Sequence, residues 1–138
     1  MGYRDERITV LSSEQCWELL RSARFGRLAY RLGNEVNLVP VNYGVDGERL
    51  LFRTAEGDKL LGVVMNPDVV FEIDEHDDDR AHSVVVRGTA RRLEEDEEHR
   101  ADEIGLDSWL GTVKFNVVEI KPTSLSGRAF RLGEQLGD

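Results

Sequence analysis

VNLVPVNYGVDGERLLFRTAEGDKLLGVV, Val36 to Val64, is the stretch on which the fold turns. It opens on VNLVPVNYGV, an extended run that ends at Asp46-Gly47, a strong two-residue hairpin signal. LLFRT follows at once as a second strand. From Gly57 to Met65 the pattern changes to a helix with Leu60, Leu61 and Val64 apolar, and Asn66-Pro67 stops it. The stretch also sets Arg53, Thr54 and Lys59 around one strand-to-helix turn of an acidic chain.

Upstream, FGRLAYRL reads as another strand, separated from the first by Gly33-Asn34, so three strands joined by tight turns make a meander. Before it, Ser12 to Ala23 reads as a helix: Ser12 with Gln15 makes a capping-box pattern, and Cys16, Leu19, Leu20 and Ala23 share one face. Downstream, DVVFEI and HSVVVRGTARRL are strands joined by the acidic loop DEHDDDR. EEDEEHRADEIG reads as a short polar helix, and VKFNVVEIKPTSLSGRAF as a last long strand bent near Pro122. Six strands with two or three short helices predict a mainly β fold, an antiparallel barrel with helices outside it, as one domain over residues 1–138.

Charge narrows the partners. Twenty-seven acidic residues against eighteen basic ones give a net charge of -9, which argues against nucleic acid and anionic membranes, both of which demand a basic face. The cations are fifteen Arg and three Lys, a bias toward planar contacts with phosphate or carboxylate that genomic composition also produces. One cysteine, Cys16, excludes an internal disulfide framework and a Cys-based zinc site. The charged MGYRDER start has no apolar signal region, and no apolar run reaches the length of a membrane helix, so the cytoplasm is the expected compartment.

Several residues invite a chemical reading. The acidic run Asp74 to Asp79 lacks the central Gly and terminal Glu of a calcium loop, so it reads as a solvated hairpin tip and no metal is expected. His76 and His99 fall on polar stretches, whereas His82 opens an apolar strand where its ring can face a cavity; structural and catalytic roles both stay open for it. Trp17 reads as packing. Trp109, in an irregular connection, is the better candidate for a substrate-side role. No hydrolytic nucleophile motif or phosphate-binding Gly loop is present, and no catalytic residue is assigned.

The RTAEGDK corner has two readings. A helix N-terminus offers unpaired N–H groups and partial positive charge, and Arg53, Thr54 and Lys59 add donors to it, so it can hold an anion. Alternatively Arg53 and Lys59 pair with Glu56 and Asp58 as a solvated corner.

In order, PVNYGVDGERLLFRTAEGDKL, FEID and HSVVVRGTARRL, with QCWELL before and SGRAF after, resemble the pyridoxamine 5'-phosphate oxidase-like superfamily of flavin-binding split barrels. The resemblance implies a six-stranded antiparallel split β-barrel that forms a homodimer, with flavin mononucleotide (FMN) in grooves at the subunit interface. It implies that Pro40, Val41 and Asn42 run beside the flavin ring, that Arg53, Thr54 and Lys59 hold the phosphate, and that Ser83 meets the ring with His82 as its neighbour. The vitamin-synthesising oxidases carry a basic residue where this chain has Asp58, and a longer C-terminal segment rich in Arg and His where this chain ends GEQLGD. The expected function is therefore flavin-dependent oxidoreduction of some other small molecule. Two alternatives stand beside it: a reductase using the deazaflavin coenzyme F420, whose anionic tail would lie along Arg21, Arg24, Arg27 or Arg31, and a non-catalytic cofactor-binding module.

Overall fold

In the computed structural model, which describes residues 7–55, 57–106 and 116–132, the meander forms in the expected order. Strands β2 (Phe25–Leu32), β3 (Glu35–Asp46) and β4 (Arg49–Thr54) are antiparallel neighbours. The second turn differs by one residue from the sequence signal. Asp46 still pairs with Arg49, so the turn residues are Gly47-Glu48, with Gly47 at φ 61°. That left-handed backbone is accessible to glycine without a Cβ penalty.

Helix α1 (Ser13–Ser22) begins with the predicted capping box: Ser12 Oγ accepts from the Gln15 N–H, and Gln15 Oε1 accepts from the Ser12 N–H. Its apolar face buries Cys16, Trp17 and Leu20, and burial pushes the Cys16 thiol pKa up. Helix α2 (Asp58–Met65) follows β4 and ends at Asn66. Strands β5 (Asp68–His76) and β6 (Arg80–Arg92) make the next hairpin, and its acidic tip is a turn in which Asp77 Oδ1 accepts from the N–H groups of Asp79 and Arg80. A 3-10 turn at Glu95–Glu97 leads into α3 (His99–Glu103), and β7 (Asn116–Arg131) is the long last strand.

β7 closes the structure. Its first five residues, Asn116 to Ile120, pair with β4 and nearly its whole length pairs with β6, so the order β7-β4-β3-β2-β5-β6 returns to β7 as a ring. The bend expected at Pro122 is a register shift: Arg87 faces Ser124 but Gly88 faces Pro122, and Thr123 is the extra residue. The sheet has seven strands rather than the six expected, because β1 (Ile8–Val10) pairs with β7 outside the ring. Three residues are too short for a periodic signal, and pairing with β7 supplies what local propensity lacks.

Alternation along each strand separates two faces. Inward side chains, among them Leu28, Val41, Tyr43, Phe52, Phe71, Val84 and Ile120, form the main core, which α1 covers on one side and α2 on another through Leu60 and Val63. Each fully buried side chain of this size contributes roughly 1.5–3 kcal/mol relative to exposure. Tyr43 ties α1 to the barrel by donating its hydroxyl to the Leu20 carbonyl at 2.6 Å. A smaller cluster, Leu51, Leu93, Ala101, Leu106 and Val117, lies on the outer face of β4 and β7 beneath α3. No described helix is long and apolar enough to cross a membrane.

Candidate functional site

The barrel is split beside β3. β2 pairs with β3 over Glu35 to Asn42, but β4 pairs only over Tyr43 to Asp46. Along Glu35 to Asn42, the edge of β3 turned away from β2 therefore carries no ladder to β4. Pro40 and Asn42 point to the outer face, while Val41 points inward and is 5% exposed. Val41 can thus offer a ligand only its backbone.

β4 ends one residue past this opening. Phe52 and Thr54 are buried, and the Thr54 hydroxyl donates to the Ala55 carbonyl at 3.2 Å. Gly57 caps α2 without a side-chain hydrogen bond, so the first N–H groups of the helix lack a side-chain cap. Lys59 stands in the first turn, half-buried, with Nζ 5.8 Å above the Phe52 ring. Burial lowers its pKa, and among the described side chains no carboxylate pairs with it. A desolvated ammonium at the positive end of a helix is poorly placed unless an anion joins it.

Arg53 departs from the expected phosphate-holding role in this geometry. It points outward, where Nε donates to the Leu106 carbonyl at 2.8 Å and Nη2 to Asp102 Oδ1 at 2.7 Å. The guanidinium is committed to α3 and the turn after it. The solvated-corner reading named Glu56 and Asp58 as partners; Arg53 instead pairs with Asp102, while Glu56 and the side chain of Asp58 lie outside what the structure describes.

α3 is itself fastened by a buried carboxylate. Glu119 is 6% exposed; it accepts from Arg91 Nε at 3.0 Å and from Arg100 Nη2 at 2.6 Å, while Arg100 Nε reaches Asp46 at 2.7 Å. Arg91 also forks onto both oxygens of Glu97. This clamp was not among the expectations from sequence, and the lone acid inside the apolar run NVVEI was its signal. The Arg91 guanidinium, then the Glu94 N–H, hold the Glu97 carboxyl down to about 2 against an ordinary 4.5. Its contribution to stability is complete above pH 4.5 and is lost as pH falls through 2. Urea unfolding at pH 6 and pH 2.5 is therefore expected to show a larger loss of stability in the native chain than in Glu97→Gln. Equal losses would remove Glu97 from the clamp.

His82 and Ser83 are not gathered to this corner. β6 lies three strands from β3 in either direction round the ring. Ser83 is between Asp74 and Arg128 on the outer face. His82 faces a cavity, as its sequence position suggests, but the cavity lies under α1. Its Nε2 is 3.4 Å from Glu75 Oε1, an ion-pair distance, yet the geometry makes no hydrogen bond and the atom is buried. Trp109 lies outside the described residues. Of the four arginines considered for an anionic tail, Arg21 and Arg24 share a cavity of about 490 Å³ with Asn42, Gly44 and Leu106. Arg27 is held by Glu72 and Asp74, both at 2.6 Å, and Arg31 lines a separate groove beside Val36. Among the described residues no group of three or more His, Cys, Asp or Glu has metal-holding geometry.

A family model described as pyridoxamine 5'-phosphate oxidase matches residues 12–129. The chain belongs to this family. The match runs from the N-cap of α1 almost to the end of β7, so it takes in every strand of the ring and leaves β1 outside.

Two solved structures and one curated relative are similar to the chain over different shares of its length. A FAD-binding protein from Mycobacterium smegmatis is 40% identical, with a TM-score of 0.79 over 91% of this chain and 100% of that one. A FAD-binding protein from Mesorhizobium loti is 25% identical, with a TM-score of 0.78 over 88% of this chain and 96% of that one. An uncharacterised Mycobacterium tuberculosis protein is 39% identical over 92 residues, 66% of this chain and 84% of its own length. The fold is that of the pyridoxamine 5'-phosphate oxidase family, and solved relatives bind flavin.

Proposed function

We propose that the chain binds a flavin nucleotide as a homodimer and acts in the cytoplasm as an oxidoreductase on a small molecule. The observation that carries this reading is Lys59: a half-buried ammonium at an uncapped helix start, beside an open strand edge. The residues fit a phosphate. Lys59 and the first N–H groups of α2 would hold it, with Thr54 beside them, while Pro40, Asn42 and the backbone at Val41 would orient the ring. Arg53 contributes at one remove, by fixing α3 against the outer face. When bound, the flavin supplies the electron transfer; the protein's part is to anchor it, orient it and keep water away.

Two observations favour a dimer. β3 and β6 oppose each other across the ring, so Ser83 can meet a ring seated at Asn42 only if it comes from a second copy. Val36 and Leu38 are 70% and 65% exposed on the outer face of β3 in line with Pro40, an apolar strip suited to burial against that copy.

FMN is the smallest flavin nucleotide that carries a phosphate for Lys59 to hold. The longer anionic arm of FAD, or of coenzyme F420, would find Arg21 and Arg24 in the cavity that shares Asn42. The mass and absorption spectrum of the ligand released from purified protein separate the three, and light scattering reads the assembly. A flavin spectrum on a dimer is expected. A stable monomer with full flavin affinity would sink the shared groove. A bound flavin that no nicotinamide or deazaflavin donor reduces, and no acceptor reoxidises with saturation, would leave a binding module.

A further inference from the structure

Between the end of α1, β3 and the turn after α3 lies the cavity of about 490 Å³ that Asn42 shares with Arg21 and Arg24. Both of its walls are pinned. Tyr43 fixes the end of α1, with its N–H donating to the Arg24 carbonyl at 2.9 Å and its hydroxyl to the Leu20 carbonyl. Opposite, α3 stops at Gly105, at φ 72°. That backbone lets the Gly105 N–H reach the Asp102 carbonyl and the Leu106 N–H the Ala101 carbonyl, both at 3.0 Å. Arg53 holds the far end of the turn at the Leu106 carbonyl. Gly44 lets the turn approach β3, since a Cβ there would lie 2.8 Å from Ile104 Cδ1. The chamber is shaped before any ligand arrives.

Its charge is one-sided. The described lining holds two arginines and no acidic side chain. In a chain of net charge -9, Arg27, Arg53, Arg91 and Arg100 each pair with a carboxylate. Arg21 and Arg24 pair with none among the described residues, and the half-buried Asn42 amide makes no side-chain hydrogen bond among them. The helix dipole accounts for Arg21, in the last turn of α1. It does not account for Arg24. The Leu19 carbonyl already accepts from the Ala23 N–H and the Ser22 hydroxyl, and the Leu20 carbonyl from Tyr43. Leu20, Val45, Ile104 and Leu106 bring apolar carbon to the same lining. Two forked cations, an unpaired amide and apolar walls suit an organic acid.

We propose that this chamber seats a small organic acid with a planar apolar body, its carboxylate on Arg21 and Arg24 and its body at Asn42, beside the seat of the flavin ring. The inference rests on the flavin reading above and names its substrate class. With FMN in the Lys59 corner the chamber stays open to that acid, whereas the arm of FAD or of coenzyme F420 would occupy it.

The test titrates trans-cinnamate into the protein as purified and follows the backbone amide resonances together with the visible band of the bound flavin. Saturable shifts are expected at Asn42, Gly44 and Gly105 at about millimolar concentration or below, and the flavin band should move with the same midpoint. Cinnamamide, the neutral analogue, should bind about tenfold more weakly or worse, and Arg24→Gln should weaken cinnamate by about the same factor. Both arginines are exposed, so Arg21→Gln gives the same reading should Arg24→Gln fail to fold. The proposal is overturned if those amides show no saturation, if acid and amide bind alike, or if neither substitution weakens the acid. It is equally overturned if inorganic phosphate binds as tightly as cinnamate, or if cinnamate binds while the flavin band stays still. A protein that holds FAD or coenzyme F420 and excludes the acid overturns it too. Cinnamate binding at these amides in protein that carries no flavin would refute the function proposed above and leave the acid site standing.

Discussion

Lys59→Ala is expected to weaken FMN and FAD by roughly one to two orders of magnitude and to leave riboflavin, which has no phosphate, nearly unchanged. A charge-assisted hydrogen bond is worth about 1.5–3 kcal/mol, which sets that range. The environment favours the upper part of it. Lys59 is half-buried beside Phe52, and burial has already lowered its pKa, so the free protein holds this charge at a cost that a phosphate offsets. The pH dependence has a definite sign. Phosphate needs the protonated lysine, so affinity falls as pH rises through the lowered pKa, and it does so before the ordinary lysine range is reached. Fluorescence titrations of FMN, FAD and riboflavin against both proteins measure all of this. Equal losses for the three ligands would return Lys59 to the solvated corner.

Gly88→Ala is expected to destabilise the fold by about 2–3 kcal/mol, the scale of overpacking against atoms that cannot yield. A Cβ at this position would overlap the carbonyl oxygen of Lys121, lie 3.0 Å from the carbonyl carbon and 3.1 Å from Ile120 Cγ2. The first two are backbone atoms of β7, at the place where that strand leaves β4 and continues along β6. The register shift is there too: Gly88 faces Pro122, and Thr123 bulges out with its hydroxyl donating to the Arg87 carbonyl at 3.1 Å. Adding even one methyl group therefore pushes apart the pair of strands that closes the ring. Urea unfolding should show a lower midpoint at unchanged slope. Thr89→Ala, exposed and next in sequence, should stay within about 0.5 kcal/mol and serves as the control. A Gly88→Ala midpoint as close to native as that of Thr89→Ala would mean that β7 moves aside freely and that the closure is not tightly packed.

Local signals carried much of the architecture. Ser12 with Gln15, Gly33-Asn34, and the alternation in FGRLAYRL and HSVVVRGTARRL act within a few residues of themselves, and each produced the element it announced. The bend at Pro122 was visible because proline cannot donate to a ladder. The anion-holding look of the 53–59 corner was legible for a similar reason. A strand end, a glycine cap and a lysine in the first turn are all set by sequence spacing.

What sequence could not reach were choices made by residues distant along the chain. Arg53 is next to Thr54 and near Lys59 in sequence, yet its guanidinium is satisfied by Leu106 and Asp102, about fifty positions away, because α3 folds over the outer face of β4. Glu119 became a clamp only when Arg91 and Arg100 arrived around it. β1 exists because β7 extends past the ring and leaves an edge to pair with. Asn42 and His82 each looked suited to a ligand, and only ring closure placed them on opposite sides of the barrel. The sequence by itself determined the six strands of the ring, the α1 cap, the family's pattern and the cationic corner, since these depend on neighbours in the chain. The tertiary structure alone decided which cations stay available, which edge of β3 opens and where His82 faces. Those depend on which strand closes against which, and the net of burial and pairing settles that only when the whole barrel is assembled.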